Sequence, residues 1–158
     1  MILGIDPGRG KTGWVITDEG GELLLSGIFP TGEGERFFQG MKELAPETIA
    51  PFVLEGGADK IGGIRLRECV IGNGTGRELL FSLAQTLPLR VKLVPEKGTT
   101  LLSRDLTGEY TPKGLLRILP LPSRAPRDVD DLAAWAIVLR HLQLQKKKRE
   151  EGEKENGN

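Results

Sequence analysis

The tightest constraint on the fold lies in the first eight residues. Ile2-Leu3-Gly4-Ile5 is an apolar run that ends in one carboxylate, Asp6, and a Pro7-Gly8 turn follows at once. A second run, Gly13 to Ile16, begins five residues later. The pattern predicts a short buried strand, a tight turn and a second strand. A carboxylate that closes a buried strand is costly without a partner. A metal ion, a phosphate-bound metal or an arginine would serve, so the remaining chain must be read for what meets Asp6.

Down the chain, residues 2–6, 13–18 and 22–29 read as three consecutive antiparallel strands, with Asp18-Glu19-Gly20-Gly21 as a turn signal. Phe37, Phe38, Met41 and Leu44 recur at helical spacing in a stretch from about 34 to 52, which Pro46 and Pro51 should break into pieces. A glycine-rich, irregular passage spans 56–63. Residues 68–72 then predict a buried strand, about 76–87 a helix, and 89–94 a fifth strand ending at Pro95-Glu96. Helices are predicted over about 99–106, 112–119 and 128–145, the last with a stripe of Leu132, Trp135, Ala136, Leu139 and Leu142. The order β-β-β, helix, β, helix, β, helices implies an α/β fold. It gives a mixed five-stranded sheet, its first three strands antiparallel, with helices on both faces. Residues 1–145 form one domain on this reading. Residues 146–158, polar and highly charged, form a disordered tail or a fraying helix end.

The 158 residues suit a single core, and their formal charges cancel. The distribution is uneven. Residues 1–59 hold ten acids against four bases, and residues 60–127 hold twelve bases against five acids. Such asymmetry fits a polyanion-binding face beside an acidic site. No apolar run approaches the roughly 20 residues of a membrane span, so no membrane partner is expected. The lone Cys69 excludes an internal disulfide and, without a signal peptide, points to the cytoplasm. Cys69 lies in an apolar run and reads as a small core residue. His141, near a helix end, reads as a surface or capping residue.

Three acidic positions are candidates for one site. Asp6 ends the first strand, Glu96 follows the last, and Asp128, Asp130 and Asp131 open the last helix. Strand ends at the carboxyl edge of a sheet are where sites form in such folds. Converging carboxylates repel unless a hard cation binds them, and oxygen-only ligands favour Mg²⁺ or Mn²⁺ over zinc. Two such ions would clamp the attacking and leaving oxygens of a phosphodiester, and the basic segment would hold backbone phosphates. Each acid also has a bland reading: Asp6 bonds the turn amides, Glu96 is a surface strand end, and the aspartates complement a helix macrodipole.

Gly4-Ile5-Asp6-Pro7-Gly8 followed by Gly13 resembles the opening of the YqgF/RuvC-like branch of the RNase H-like superfamily. Gly72-Asn73-Gly74-Thr75-Gly76 stands where that family has a Gly-x-Pro loop. Residues 87–100, through Pro95-Glu96-Lys97-Gly98-Thr99-Thr100, are similar to its strand and Asp-Glu-Arg-x-Thr-Thr motif. Val129-Asp130-Asp131-Leu132-Ala133-Ala134 is similar to its closing Asp-x-x-Ala-Ala helix. The resemblance spans residues 1–143 and implies an RNase H-like fold and a metal-dependent endonuclease. Holliday junction resolution and maturation of precursor ribosomal RNA are the activities associated with the family. It implies Asp6, Glu96 and Asp130 as catalytic carboxylates and metal ligands. Asp128 and Asp131 are alternatives, because they match the i, i+3 acid pair of RuvC resolvases. Arg9, Lys11, Lys97, Thr99, Thr100 and Arg104 would bind substrate. The expected partner is branched DNA or structured RNA, with a homodimer as one option.

Three positions depart from the family pattern: Pro95 replaces the motif's first Asp, Lys97 its Arg, and Asn73 the loop proline. Lysine meets phosphate as a point charge without the guanidinium fork. These departures motivate an alternative, a catalytically weak or inactive nucleic-acid-binding protein on the same fold. Two phosphate-binding rivals fare worse. Gly8-Arg9-Gly10-Lys11-Thr12 lacks the first glycine of a P-loop, because Ile5 occupies that position. An actin-like ATPase needs two such domains to enclose its nucleotide.

Overall fold

The computed structural model describes residues 1–95 and 130–157. Six strands form one mixed sheet in the order β4-β3-β2-β1-β5-β6. They are β1 (Ile2–Asp6), β2 (Lys11–Thr17), β3 (Leu23–Pro30), β4 (Val53–Glu55), β5 (Glu68–Gly72) and β6 (Arg90–Val94). The first four are joined antiparallel, whereas β5 and β6 run parallel to β1. The five expected strands are present within a residue or two at each end. The sixth, β4, falls between the expected helical stretch and the glycine-rich passage, where no strand was expected. Three residues are too few to display an alternating pattern, and this strand exists only by pairing Ser26↔Glu55 and Gly27↔Val53 along the edge of β3.

Alternation along the strands divides the core into two layers. Leu3, Ile5, Trp14, Ile16, Phe29, Cys69 and Ile71 face one side, packed against α1 (Gly34–Glu43), α2 (Pro46–Ile49) and α3 (Arg77–Ala84). The aromatic residues concentrate there, with Phe29 and Phe37 stacked at 4.2 Å between centroids. Pro46 opens α2, and Pro51 lies in the 3-10 turn that follows, so the two prolines divide the helical stretch as expected. Ile2, Val15, Val70 and Val94 face the other side, against Ala134, Trp135, Ile137 and Val138 of α4 (Asp130–Asn156).

Helix α4 runs further than the sequence suggests. It continues through Asn156 across the charged stretch expected to be a disordered tail or a fraying end. Lys146–Glu150 and Lys147–Glu151 supply i, i+4 pairs there. The helices expected over 99–106 and 112–119 lie outside the described residues.

The depth at which α4 sits depends on Gly4. A Cβ at Gly4 would come 2.5 Å from Val138 Cγ2 and 2.9 Å from both the Ala134 carbonyl oxygen and Val15 Cγ2. Backbone as well as side chain occupies that space, so rotamer changes cannot clear it. We predict that Gly4→Ala destabilises the fold by about 1–3 kcal/mol, measured as a lower midpoint in urea denaturation with an unchanged slope.

Candidate functional site

Asp6 closes β1 on the face that α4 covers, since Ile2, Gly4 and Asp6 alternate to the same side. It is half-buried and pairs across the sheet with Gly13 of β2. The turn after it is held in place by Thr31, the residue after β3. The Thr31 hydroxyl donates to the Gly8 carbonyl at 2.8 Å, and its amide donates to the Gly10 carbonyl at 3.1 Å. Thr12, fully buried, shares a 2.9 Å hydrogen bond with the same hydroxyl. Arg9 and Lys11 stand exposed on the turn so fixed. Sequence reasoning missed Thr12 and Thr31, because no local pattern links a threonine in β2 to one beyond β3.

The glycine-rich loop after β5 packs directly on this turn. A Cβ at Gly74 would overlap the Pro7 carbonyl, and one at Gly72 would lie 3.7 Å from Asp6 Oδ1. Bare backbone is therefore required at Gly74 by the Pro7 carbonyl, and at Gly72 by Ile137 of α4, 2.5 Å from where its Cβ would lie. Two of the motifs singled out in the sequence thus meet at one point. Strand β6 follows in register, with Ile71↔Leu93 and Gly72↔Val94 paired, so its carboxyl end lies at the same edge of the sheet. Glu96 stands two residues beyond Val94, outside the described residues, as do Lys97, Thr99, Thr100, Arg104 and Asp128.

The amino end of α4 also belongs to this edge. Ala134 lies over Gly4, midway along β1, whereas His141 reaches Glu68 at the start of β5. The helix thus descends against the direction of β1, and Asp130, its first residue, is at the carboxyl end of the sheet. Asp131 is placed differently. Its carboxylate is 1% exposed and accepts a 2.9 Å hydrogen bond from Ser26 Oγ, on β3. The Leu132 amide donates to its other oxygen at 2.9 Å. Ser26 is separated from β1 by β2, so these bonds hold Asp131 over the antiparallel half of the sheet. Among the described residues, no three His, Cys, Asp or Glu side chains form a metal-binding group.

The softer ligands are remote from Asp6. Cys69 is buried in the layer beneath α1 and α3, where burial, and then the charge of Glu68, pushes its thiol up. That suits a packing residue rather than a nucleophile. His141, expected at the surface, is 6% exposed, because α4 carries its turn across the sheet. Its Nε2 lies 3.0 Å from Glu68 Oε1, and Lys92 Nζ donates to Glu68 Oε2 at 3.2 Å. Burial tends to raise the Glu68 carboxyl, but the hydrogen bonds from His141 and Lys92 outweigh it and hold the group below its ordinary 4.5. Among the described residues, Asp6 brings carboxylate oxygen to this edge, the donor type a hard cation prefers. No family model matches the chain, and no curated protein matches it.

Two predictions follow from the buried polar contacts. Ser26→Ala removes the hydroxyl that satisfies Asp131 and should destabilise the protein by about 1–3 kcal/mol, measured by urea denaturation at neutral pH. Glu68 has a folded pKa below its unfolded one, so its contribution is complete above about pH 4.5 and is lost as pH falls through the lowered folded value. Glu68→Gln should therefore lower stability at pH 7. The gap to wild type should close below pH 4.5, measured by denaturation at a series of pH values.

Proposed function

We propose that the protein is a metal-dependent endonuclease that hydrolyses phosphodiester bonds in structured nucleic acid, on an RNase H-like fold. The observation that carries the reading is the meeting of separate sequence motifs at one sheet edge. Asp6, the Gly72–Gly74 loop, the end of β6 and the start of α4 all lie there. The family resemblance runs through these same four segments, and it assigns carboxylates of the first strand, the stretch after β6 and the last helix to a nuclease centre.

On this reading Asp6, Glu96 and Asp130 hold Mg²⁺ or Mn²⁺, which when bound stabilises charge on the phosphoryl oxygens and favours deprotonation of water. Asp6 contributes a fixed carboxylate, because β1 is hydrogen-bonded on both sides and the following turn is tied to Thr31. Arg9 and Lys11 lie a few residues beyond it, where their charges neutralise backbone phosphates. The bare backbone at Gly74 lets the loop pack directly on the Pro7 carbonyl, beside the carboxylate that precedes it. Ser26 and the Leu132 amide hold Asp131 over β3, and on this reading Asp130 is the helix residue assigned to the cation.

A second reading rests on Pro95 and Lys97, which occupy positions where the family motif has an acid and an arginine. It keeps the nucleic-acid surface and removes the cleavage. One experiment separates the two: incubation of branched DNA and precursor ribosomal RNA with Mg²⁺, wild type beside Asp6→Asn. Loss of an outer-shell partner of a metal typically costs 10–100-fold, so loss of a direct ligand should reduce cleavage by about 100-fold or more. Salt-sensitive binding should persist in the variant. Equal cleavage by both proteins would overturn the site. Binding without cleavage by wild type would favour the second reading.

A further inference from the structure

The far end of the sheet carries a cavity that the nuclease reading does not use. Its volume is about 710 Å³, within the range of small-molecule sites. It opens where β1 and β5 begin, and it is walled by the last core turns of α4 and by the segment leading into β6. Ile2, Leu66, Pro88 and Leu142 give it an apolar surface.

The charges around this cavity do not cancel. Glu19 is engaged by Arg67 at 3.0 Å, and Glu68 by Lys92 at 3.2 Å. Both acids of the lining are thus spoken for, and three basic side chains remain. Lys146 has only a 4.0 Å exposed contact with Glu150. Arg90 and Arg149, both exposed, form no ion pair among the described residues. Residues 90 and 149 come from different elements, and the fold alone brings them to one cavity. Arginines are well suited to phosphate, because each offers a planar fork of donors to two oxygens.

We propose that this cavity binds a phosphorylated small molecule of nucleotide size. Arg90, Lys146 and Arg149 take its phosphates, and the surface of Ile2, Leu66, Pro88 and Leu142 takes its apolar part. Two features favour a small molecule over a nucleic-acid strand. The space is a half-open hollow confined to the amino edge of the sheet rather than a groove that tracks a backbone, and apolar side chains share its lining with the basic ones.

The test is calorimetric titration of the full chain with ADP and with inorganic tripolyphosphate, in EDTA. Chelation makes the result independent of any cation at Asp6, so failure of the nuclease reading leaves it unaffected. Saturable one-to-one binding of ADP is expected, with tripolyphosphate competing. The double variant Arg90→Gln/Arg149→Gln should weaken it roughly tenfold or more, as loss of charge-assisted hydrogen bonds requires. Both positions are exposed, and an unchanged circular dichroism melt would separate lost binding from lost fold. Lys60→Gln, an exposed charge elsewhere, should bind as wild type does. The proposal is overturned if neither probe saturates, or if Lys60→Gln weakens binding as much as the double variant. It is likewise overturned if a single-stranded oligonucleotide binds through Arg90 and Arg149 while ADP does not.

Discussion

The approach of α4 to β1 at Gly4 is the contact on which the other positions depend. The Ala134 carbonyl and the Val138 methyl both occupy the space a side chain at residue 4 would need. With the helix seated so close, its neighbours are largely determined. Ile137 fills the space over Gly72, Trp135 reaches β2's turn, and Val15 and Val70 close the layer. A larger residue at position 4 would lift the helix and loosen each of these contacts together.

Close packing sets depth, and three polar contacts set how α4 lies along the sheet. Ser26 holds Asp131 near the amino end, and the Trp135 indole donates to the Gly21 carbonyl at 2.8 Å. Glu68 takes His141 further on. Each contact is buried or nearly so, so a shift of one helical turn would leave a carboxylate or an indole N–H unsatisfied. Apolar packing tolerates small slides better than such pairs do. The polar contacts thus specify register, and register decides which aspartate stands at the carboxyl edge of the sheet.

Much of this was legible in the sequence, because strands of five or more residues display their alternation and glycines mark turns. The β1 carboxylate, the glycine loop and the strand preceding Pro95 were all found that way. The remainder depends on tertiary context. Strand β4 is too short to carry a pattern and exists through β3. The Ser26–Asp131 bond joins residues 105 apart in sequence, and neither residue differs locally from a strand serine or a first-turn acid. His141 looked peripheral because it stands near the end of the expected helix. The course of α4 across the sheet instead places it against Glu68. Of the acids expected to converge, Asp6 and the helix position of Asp130 lie at one edge, whereas Asp131 is bonded to β3.

The gathering of basic residues at the amino edge of the sheet is rooted in topology. Antiparallel strands return the chain to both edges, so Asp6 closes β1 at one edge and Asp18, Glu19 and Glu22 occupy the β2–β3 connection at the other. Strands β5 and β6, parallel to β1, enter from one edge only. Arg67 precedes β5 and Arg90 begins β6, and both therefore fall at the amino edge. Helix α4 runs against β1 and delivers Lys146 and Arg149 to that same edge, while its opening aspartates stay at the other. The fold thus gathers Arg67, Arg90, Lys146 and Arg149 from three separate stretches of the chain around one hollow at the amino edge, without any block of like charge in β1 to β6.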